Sequence, residues 1–543
     1  MDVPTGSSSR RRTLVGCALL LLGVVAARPY FATLGYWPMT ADPPTWIGRG
    51  TPLSADWLLW VFAGDHYSWY RPVTALSFAL DEVLGGVDPR VYRITDLVLH
   101  LAVGLAARAV FTRWVPAAPR WAGVAVAFLV WAHPCGEEVV PYMARRSYSL
   151  AALFGCAALC SLDAATRNDA RHARAWAAAT GGWLALAALS NEGGLLAAPV
   201  LAGLVWARTR GRPRALVRGV GTLAPAAALG VAVLLLRTWV LRGPGGYGEV
   251  ARLPDRLGGV VLPAIDGLLG AQRWNALAAG GSSAVWTAAI GVALTAYYGI
   301  AAVRALRPAA GEAERVVAVM LAWIGLAVAL YAAAGIFTPR QVYGLQVPLA
   351  VVLVGAWCVR RGWVHALPPL AVAAALVLGG PVVRGQRPQR LAGWADRQRL
   401  LQALHDDLGT CVEPAVVRLV LPNVRPAAAV ARDGVRVQLH RSIRQPADWT
   451  AVAVQARGID VRDLVYLPRE GPGAAREQRA GRPALRLPPR GPCYLRQGGE
   501  FVEVPPGSVV WLDELSWPPR ANGYLYAFGP AGGTLELLHP AER

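Results

Sequence analysis

The sequence predicts an all-α polytopic membrane protein with a β-rich domain at its C-terminal end. Of the 543 residues, 55% are hydrophobic and 16% are charged, whereas a soluble protein carries about 25% charged residues. The mean hydropathy is +0.36. Apolar residues collect in blocks of about 20 with few charges, which is the length that crosses a bilayer. Backbone amides cannot stay unpaired in lipid, so these blocks are predicted to be helices.

The apolar blocks predict about eleven transmembrane helices with the N-terminus in the cytoplasm. They lie near 13–33, 91–111, 119–135, 147–163, 174–190, 193–207, 217–240, 283–303, 315–335, 341–359 and 363–383. The arginines at 10–12 followed by the apolar run 13–27 are also the pattern of a cleaved signal peptide. We favour an uncleaved first span at this position.

The basic residues test this topology, because short cytoplasmic loops of membrane proteins are rich in positive charge. The net charge is +20, and every basic residue is an arginine because the sequence has no lysine. The arginine-bearing loops near 113–120, 167–174, 208–218, 304–315 and 360–361 all fall on the side of 10–12. The charge is therefore interpreted as a topological signal, and no nucleic-acid partner is predicted.

This topology divides the chain into a transmembrane domain, 1–383, and an extracytoplasmic domain, 384–543. The second part is rich in Pro, Gly and Arg, with one amphipathic helix predicted at 389–408. Strands are predicted at 416–421, 435–439, 451–454, 501–504, 509–512 and 524–528. A disulfide between Cys411 and Cys493 is a possibility in an extracytoplasmic compartment. A helix over 70–84 is predicted to lie along the membrane surface, with Val73, Leu76, Phe78, Leu80 and Leu84 available to face lipid.

Ionisable residues at the ends of apolar blocks are functional candidates in a membrane protein. Five clusters of them fall on the predicted outer side. They are Asp42, Asp56 and Asp65 with Tyr70 and Arg71; Tyr92, Asp96 and His100; His133, Glu137, Glu138, Arg145 and Arg146; Ser190, Asn191 and Glu192; and Arg340, Gln341 and Tyr343.

The residue types in these clusters suit one kind of chemistry. A guanidinium binds phosphate oxygens bidentately, and a carboxylate can accept the proton of an attacking hydroxyl. The combination fits a transferase whose leaving group is a lipid phosphate. The alternative is that each residue only caps a helix or forms an interfacial ion pair. For His100 alone, buried packing against other helices is the preferred interpretation.

The same residues resemble a known pattern. The run YRPVTALSFAL at 70–80, followed by Tyr92 and the LVLH at 97–100, is similar to the first-loop-to-second-span region of GT-C membrane glycosyltransferases. The similarity is to the protein O-mannosyltransferase-like branch, which includes the tetratricopeptide-repeat transmembrane O-mannosyltransferases and bacterial relatives. Further matching elements are His133-Pro134, Glu138, Val140 and Arg146; Ser190-Asn191-Glu192; and Arg340 with Tyr343. The resemblance covers roughly 13–360.

The resemblance implies a GT-C fold, a polyprenyl-phosphate sugar donor and an inverting transfer that depends on a carboxylate of the first outer loop. Asp42 matches that carboxylate by position, and Asp65 is the substitute candidate. The family has two adjacent acids there, whereas Asp42 is flanked by Ala41 and Pro43. The tetratricopeptide repeats are replaced by the β-rich tail. These departures motivate a second hypothesis, a catalytically inactive relative that acts as a membrane scaffold.

The sequence thus predicts a glycosyltransferase of the bacterial inner (plasma) membrane that moves a mannose-like hexose to a hydroxyl of a protein, glycan or lipid on the outer face. The catalytic candidates are Asp42, Asp65 and Glu138. The substrate-binding candidates are Arg71, His133, Arg146, Glu192, Arg340 and Tyr343. No metal ligands are assigned, and a divalent cation is left open as a cofactor. A secondary transporter is a third hypothesis, disfavoured because the charges lie at span ends and not near the midplane.

Overall fold

The fold was analysed in a computed structural model of the chain. It describes residues 6–31, 34, 51–63, 70–86, 88–133, 135–141, 143–167, 170–210, 212–243, 299–300, 303–305, 307, 309–334, 339–359, 415–422, 459–467, 475–487, 489, 493–497, 500–511, 522–528 and 535–541. The chain divides into two compact units. The first contains 1–34, 58–77 and 90–386, and the second contains 35–57, 78–89 and 387–543.

Twelve α-helices lie in the described part of the chain before residue 360. They are α1 Gly6–Phe31, α2 Ala55–Ala63, α3 Pro72–Gly85, α4 Pro89–Trp114, α5 Arg120–Ala132, α6 Cys135–Val139, α7 Arg146–Arg167, α8 Ala170–Ser190, α9 Ala197–Thr209, α10 Pro213–Val240, α11 Glu312–Ala334 and α12 Gln346–Val359. Three short 3-10 helices interrupt this series at Met143–Arg145, Glu192–Leu196 and Pro339–Leu345.

Five of the described helical segments have the length and apolar composition of a membrane span. They are Arg90–Trp114, Arg146–Arg167, Pro213–Val240, Glu312–Tyr331 and Arg340–Val359. Two shorter apolar helices, Val15–Arg28 and Arg120–Ala132, accompany them. The predicted spans near 283–303 and 363–383 fall largely or wholly outside the described residues. The chain is therefore mostly helical with five candidate spans, and the count of eleven stays a prediction.

Close approach between helices is built on small residues, as in other helix bundles in lipid. The indole nitrogen of Trp131 on α5 donates to the carbonyl of Leu101 on α4 at 3.0 Å. Gly104 makes room for this ring, because a Cβ at this position would clash with the Trp131 indole. Trp114 at the end of α4 donates in the same way to the carbonyl of Leu159 on α7, at 3.1 Å.

One end of the bundle is closed by a network around the buried carboxylate of Asp163, which we call the Asp163 cluster. Its Oδ1 accepts from Arg167 Nε at 2.6 Å and from Arg208 Nη2 at 2.7 Å. Arg113 Nη1 lies 3.9 Å from Oδ2, and Arg208 Nε donates to Glu312 Oε1 at 3.0 Å. The cluster joins the last turns of α4, α7 and α9 to the first turn of α11. These residues fall in the loops that the arginine pattern assigned to one side.

Removing the Asp163 charge is expected to destabilise the bundle. The free energy of unfolding of the Asp163→Asn variant should fall by about 3 kcal/mol, because the mostly buried Arg208 guanidinium loses its buried carboxylate and keeps only the more exposed Glu312. Thermal unfolding in detergent measures this, with the exposed Asp56→Asn as control, expected within about 0.5 kcal/mol of wild type. Equal stability of the two variants would contradict the structural role given to the cluster.

The predicted surface helix corresponds to α3, whose first residues follow Arg71. Leu80 and Leu84 are exposed, at 54% and 77%, as expected for residues that face lipid. The same expectation for Phe78 was wrong, because its ring is fully buried. The helix therefore buries one side and cannot lie on the surface as an isolated amphipathic element.

The C-terminal part of the chain contains nine described strands. They are β1 Ala415–Pro422, β2 Ile459–Leu467, β3 Ala475–Arg479, β4 Arg482–Arg486, β5 Cys493–Gln497, β6 Glu500–Val504, β7 Val509–Trp511, β8 Asn522–Phe528 and β9 Leu535–Ala541. Six form one sheet in the order β6-β5-β2-β1-β8-β9, and β3, β4 and β7 form a second. The apolar β1 is central and pairs in parallel with β2 and β8.

Four of the six predicted strands coincide with β1, β6, β7 and β8. The predicted strands at 435–439 and 451–454, the predicted helix at 389–408 and Cys411 lie outside the described residues. The boundary at 384 and the extracytoplasmic location of this part stay predictions.

Candidate functional site

The described residues of four of these polar clusters, from Tyr92 to Tyr343, and Arg71 of the first lie at the bundle end opposite the Asp163 cluster. That end contains the first turns of α4, α7 and α12 and the last turns of α8 and α10. The 3-10 helices Glu192–Leu196 and Pro339–Leu345 both lie there, each directly before the next helix. Such short 3-10 turns change the chain direction within a few residues. Side chains from far-apart sequence positions therefore meet at this end.

The centre of the site is the carboxylate of Glu192 with two guanidiniums, which we call the Glu192 clamp. Arg71 donates to it bidentately, from Nη2 to Oε1 at 2.8 Å and from Nε to Oε2 at 3.2 Å. Arg237, in the last turn of α10, donates from Nη1 to Oε2 at 3.4 Å. The two arginine side chains are only 10% and 11% exposed, whereas the Glu192 side chain is 35% exposed.

The electrostatics of the clamp keep Glu192 ionised. Burial by itself would raise the pKa of the Glu192 carboxyl, but Arg71 and Arg237 outweigh burial and hold this pKa at about 2. The carboxylate is therefore charged at any physiological pH and is unsuited to serve as a general base. One negative charge faces two positive charges, so the clamp carries a net charge of about +1.

The local chain geometry presents Glu192 at the start of its 3-10 helix. Asn191 is the N-cap, and its side-chain oxygen accepts from the backbone N–H of Gly193 at 2.9 Å. Its amide nitrogen donates to Ser147 Oγ at 3.2 Å, which ties the turn to α7. On the other side, Thr74 on α3 donates its hydroxyl to the carbonyl of Ser190 at 2.9 Å. These bonds hold the segment that carries Glu192 against two neighbouring helices.

A second ion pair lies deeper in the same end of the bundle. Arg146 Nε donates to Asp96 Oδ1 at 2.6 Å, and Nη2 donates to the carbonyl of Tyr92 at 2.8 Å. Its Nη1 donates to the carbonyl of Ser77 at 3.2 Å. The Arg146 side chain has no exposed surface. This arginine links α3, α4 and α7, and in this structure it contacts protein groups.

Three predicted substrate-binding residues are buried. His133 is 2% exposed, and its Nδ1 accepts from the backbone N–H of Cys135 at 3.2 Å. Tyr343 is fully buried, with its phenol oxygen 2.8 Å from His100 Nδ1. Arg146 is the third. The prediction that His100 is a buried packing residue is confirmed.

A cavity of about 40 Å³, enough for a few water molecules, adjoins the Glu192 clamp. It is a narrow recess, smaller than the pockets of about 300–1,000 Å³ that hold whole small ligands. Both 3-10 helices contribute to its wall. Asn191 and Gly193, on either side of Glu192, line it from the first, and Gln341 and Gly344, close to Tyr343, line it from the second. The largest side chains in the lining are Tyr148, Trp323 and Tyr331. The wall is therefore mostly apolar and aromatic, with polar groups where the clamp adjoins it.

One glycine of this wall has no room for a side chain. A Cβ on Gly194 would press against the backbone of Ala187 and Ala188 in α8, and backbone cannot move aside. The Gly194→Ala variant is expected to lose most monodisperse protein in size-exclusion chromatography, whereas Gly182→Ala, which has open space at its Cβ, should behave like wild type. Equal behaviour of the two variants would contradict the close packing of this turn against α8.

Of the remaining predicted site residues, one is described with its side chain and the others are not. Arg340 is half-buried in its 3-10 helix, next to the cavity-lining Gln341. Glu138 lies in α6, and its side chain is outside the described residues, as are Asp42 and Asp65 entirely. Among the residues that are described, no group of three or more His, Cys, Asp or Glu side chains could hold a metal ion.

Arg237 is the residue of the clamp that sequence analysis missed. It was counted as part of an apolar span, because α10 is a long run with few charges. Its signal was available, since an ionisable residue within the last turn of a predicted span is itself a functional candidate. The sequence did not show that Arg237 would pair with Glu192, which lies 45 residues earlier in the chain.

Together, the helices and the site define a mostly helical protein with five candidate membrane spans and an arginine–carboxylate site beside a cavity at one end of the bundle. Two solved structures are similar to the chain. The oligosaccharyltransferase of Archaeoglobus fulgidus, tethered with an acceptor peptide, has a TM-score of 0.41 and 12% identity, over 84% of this chain and 64% of its own. ArnT from Cupriavidus metallidurans bound to undecaprenyl phosphate has a TM-score of 0.34 and 16% identity, over 81% of this chain and 89% of its own.

The chain thus spans less than two thirds of the oligosaccharyltransferase. TM-scores of this size do not establish a common fold. No protein-family model matches the chain, and no curated protein matches it. The O-mannosyltransferase-like branch stays a prediction from the sequence motifs.

Proposed function

We propose that the protein is a membrane glycosyltransferase that moves a hexose from a polyprenyl-phosphate sugar to a hydroxyl acceptor on the outer face of the membrane. The observation that carries this proposal is the Glu192 clamp. Two guanidiniums share one carboxylate beside an aromatic cavity, so the three groups of the clamp together carry a net positive charge. A phosphate ester is the ligand class that such a site suits.

The proposed reaction is a direct displacement at the anomeric carbon. The Asp42 carboxylate accepts the proton of the acceptor hydroxyl, whose oxygen then forms a bond to C1 of the hexose. The bond between C1 and the phosphate oxygen breaks, and polyprenyl phosphate leaves with the electron pair. The configuration at C1 inverts, as the sequence resemblance implies. Asp65 is the substitute base.

The arginines act on the leaving group. Arg71 and Arg340 are proposed to neutralise the departing phosphate, since charge that develops on a leaving oxygen is stabilised by preorganised cations. Glu192 is a positioning residue, because it holds Arg71 by two hydrogen bonds. Arg146, which lies beneath the site with its guanidinium engaged by protein groups, is also proposed to act through position.

The other predicted residues complete the site. His133 and Tyr343, both buried, are proposed to shape its wall. Glu138 is proposed to orient the donor phosphate, either directly or through a divalent cation. A mannose-like sugar and a protein, glycan or lipid acceptor follow from the resemblance alone.

A second hypothesis is a catalytically inactive scaffold, and the observation that favours it is in the sequence. Asp42 lacks the adjacent acid that the resembling family has. A scaffold would keep the Glu192 clamp only as a structural ion pair and would not turn over a donor.

Transfer by the purified protein separates the two hypotheses. The full chain, reconstituted in lipid nanodiscs, is given radiolabelled hexose on polyprenyl phosphate and, in parallel, the same hexose on a nucleotide diphosphate. We expect label to pass to acceptor hydroxyls, or to water at a slower rate, only from the lipid-linked donor. Absence of both transfer and donor binding would overturn the proposal and favour the scaffold.

A further inference from the structure

The Glu192 clamp contains one guanidinium more than the carboxylate needs. Arg71 alone satisfies both oxygens of Glu192, with the bidentate geometry that arginine and carboxylate prefer. Arg237 adds a single bond of 3.4 Å to an oxygen that Arg71 already occupies. At this length the contact contributes little to holding Arg237 in place.

The guanidinium of Arg237 has hydrogen-bond donors that the described residues leave unused. It carries five N–H donors and is always protonated. Within the described residues, one of these donors is used, and the side chain is 11% exposed. None of its nitrogens is among the fully buried ones that lack a partner, so the unused donors are open at the surface of the site. The side chain has therefore both the charge and the donors for a ligand that the protein itself does not supply.

We propose that Arg237 is a substrate-binding residue that contacts the phosphate of the lipid-linked donor, with Glu192 as the residue that positions it. This inference rests on the proposed function and deepens it, because it assigns a phosphate contact to a residue outside the sequence motifs. Glu192 holds Arg71 tightly and Arg237 loosely, so Arg237 can turn toward an anion without breaking the Arg71 pair. A phosphate oxygen then takes the donors that Glu192 leaves unused.

The experiment measures binding of polyprenyl monophosphate and of the matching polyprenol, which lacks the phosphate, to the full chain in nanodiscs. Arg237→Gln is expected to weaken binding of the phosphate about 10- to 100-fold, which is the usual value of hydrogen bonds to a charged group. Binding of the polyprenol should not change. Arg237→Lys, which keeps the charge and loses the planar fork, should fall between wild type and Arg237→Gln.

The matched control is Arg218→Gln. Arg218 lies on the same helix, is exposed, and is about 28 Å away along the axis at a rise of roughly 1.5 Å per residue. The Arg218→Gln variant loses one positive charge, as Arg237→Gln does, and should bind both probes like wild type. In the transfer assay, Arg237→Gln should raise KM for the donor more than it lowers kcat.

The outcomes are distinguishable. Equal loss of phosphate and polyprenol binding in Arg237→Gln would mean a structural role and would overturn this inference. If Arg237→Gln binds the phosphate as tightly as the wild-type protein does, this inference is also overturned. The proposed function stays intact in either case if the wild-type protein transfers hexose. If the wild-type chain binds no polyprenyl monophosphate, both the inference and the proposed function fail.

Discussion

Replacing Glu192 with glutamine is expected to lower hexose transfer by about 10²–10³-fold. The substitution keeps the shape of the side chain and removes the only negative charge of the clamp. Two mostly buried guanidiniums then lose the carboxylate that they share, and the loss of one partner of a buried ion pair costs about 3–5 kcal/mol. They separate, and the phosphate of the donor loses its preorganised contacts. Transfer at saturating donor measures the effect.

The loss in Glu192→Gln should be independent of pH over the physiological range. The pKa of the Glu192 carboxyl is held at about 2, below its usual value of 4.5. The contribution of its charge is therefore complete above about pH 5 and disappears only as the pH falls toward 2. The ratio of wild-type to variant activity should be the same at pH 6 and pH 8. A ratio that changes across this range would contradict the assigned ionisation.

Glu312→Gln provides the matched control. Glu312 also pairs with an arginine, Arg208, but at the opposite end of the bundle and with a side chain that is 41% exposed. Exposed pairs contribute about 1 kcal/mol or less, so transfer should be unchanged. If Glu192→Gln transfers hexose as well as Glu312→Gln does, the clamp has no part in the reaction.

Replacing Asp42 with asparagine is expected to lower the rate of transfer by about 10²–10⁴-fold, the usual contribution of general base catalysis. Asparagine cannot take the proton of the acceptor hydroxyl, but it preserves size and polarity. Binding of the donor should be unchanged, so the effect falls on kcat. Single-turnover transfer with bound donor is the measurement.

Asp65→Asn is the comparison variant for Asp42. If Asp42 is the base, Asp65→Asn should stay within about threefold of wild type, since the proton acceptor Asp42 is intact in this variant. The reverse pattern would transfer the role to Asp65. Wild-type rates in both variants would reject a first-loop carboxylate as the base.

The sequence predicted the parts of the fold that depend on local pattern. Apolar blocks of fixed length predicted α4, α7, α10 and α11, because lipid permits only helices there. Alternating patterns predicted β1 and β8. Phe78 was wrongly assigned to the lipid-facing side, because a helical periodicity alone does not say which side of a helix packs against protein.

The candidate site could be predicted in its residue types but not in its pairings. Ionisable residues at span ends were found because lipid makes them exceptional. The pairings depend on how the helices pack. Arg71 pairs with Glu192, 121 residues away, and Arg146 pairs with Asp96. Arg237 was missed for the same reason, since its significance lies in its neighbour and not in its own segment.

The proposed function requires that the Glu192 clamp lies on the outer face and the Asp163 cluster in the cytoplasm. Single cysteines placed at Arg242, just beyond α10, and at Arg167, within the cluster, test it in a cysteine-free background. Both arginines are exposed. A membrane-impermeant maleimide added to intact cells should label the cysteine at 242 and leave that at 167 unlabelled until the membrane is permeabilised. Labelling of 167 and protection of 242 in intact cells would contradict the account.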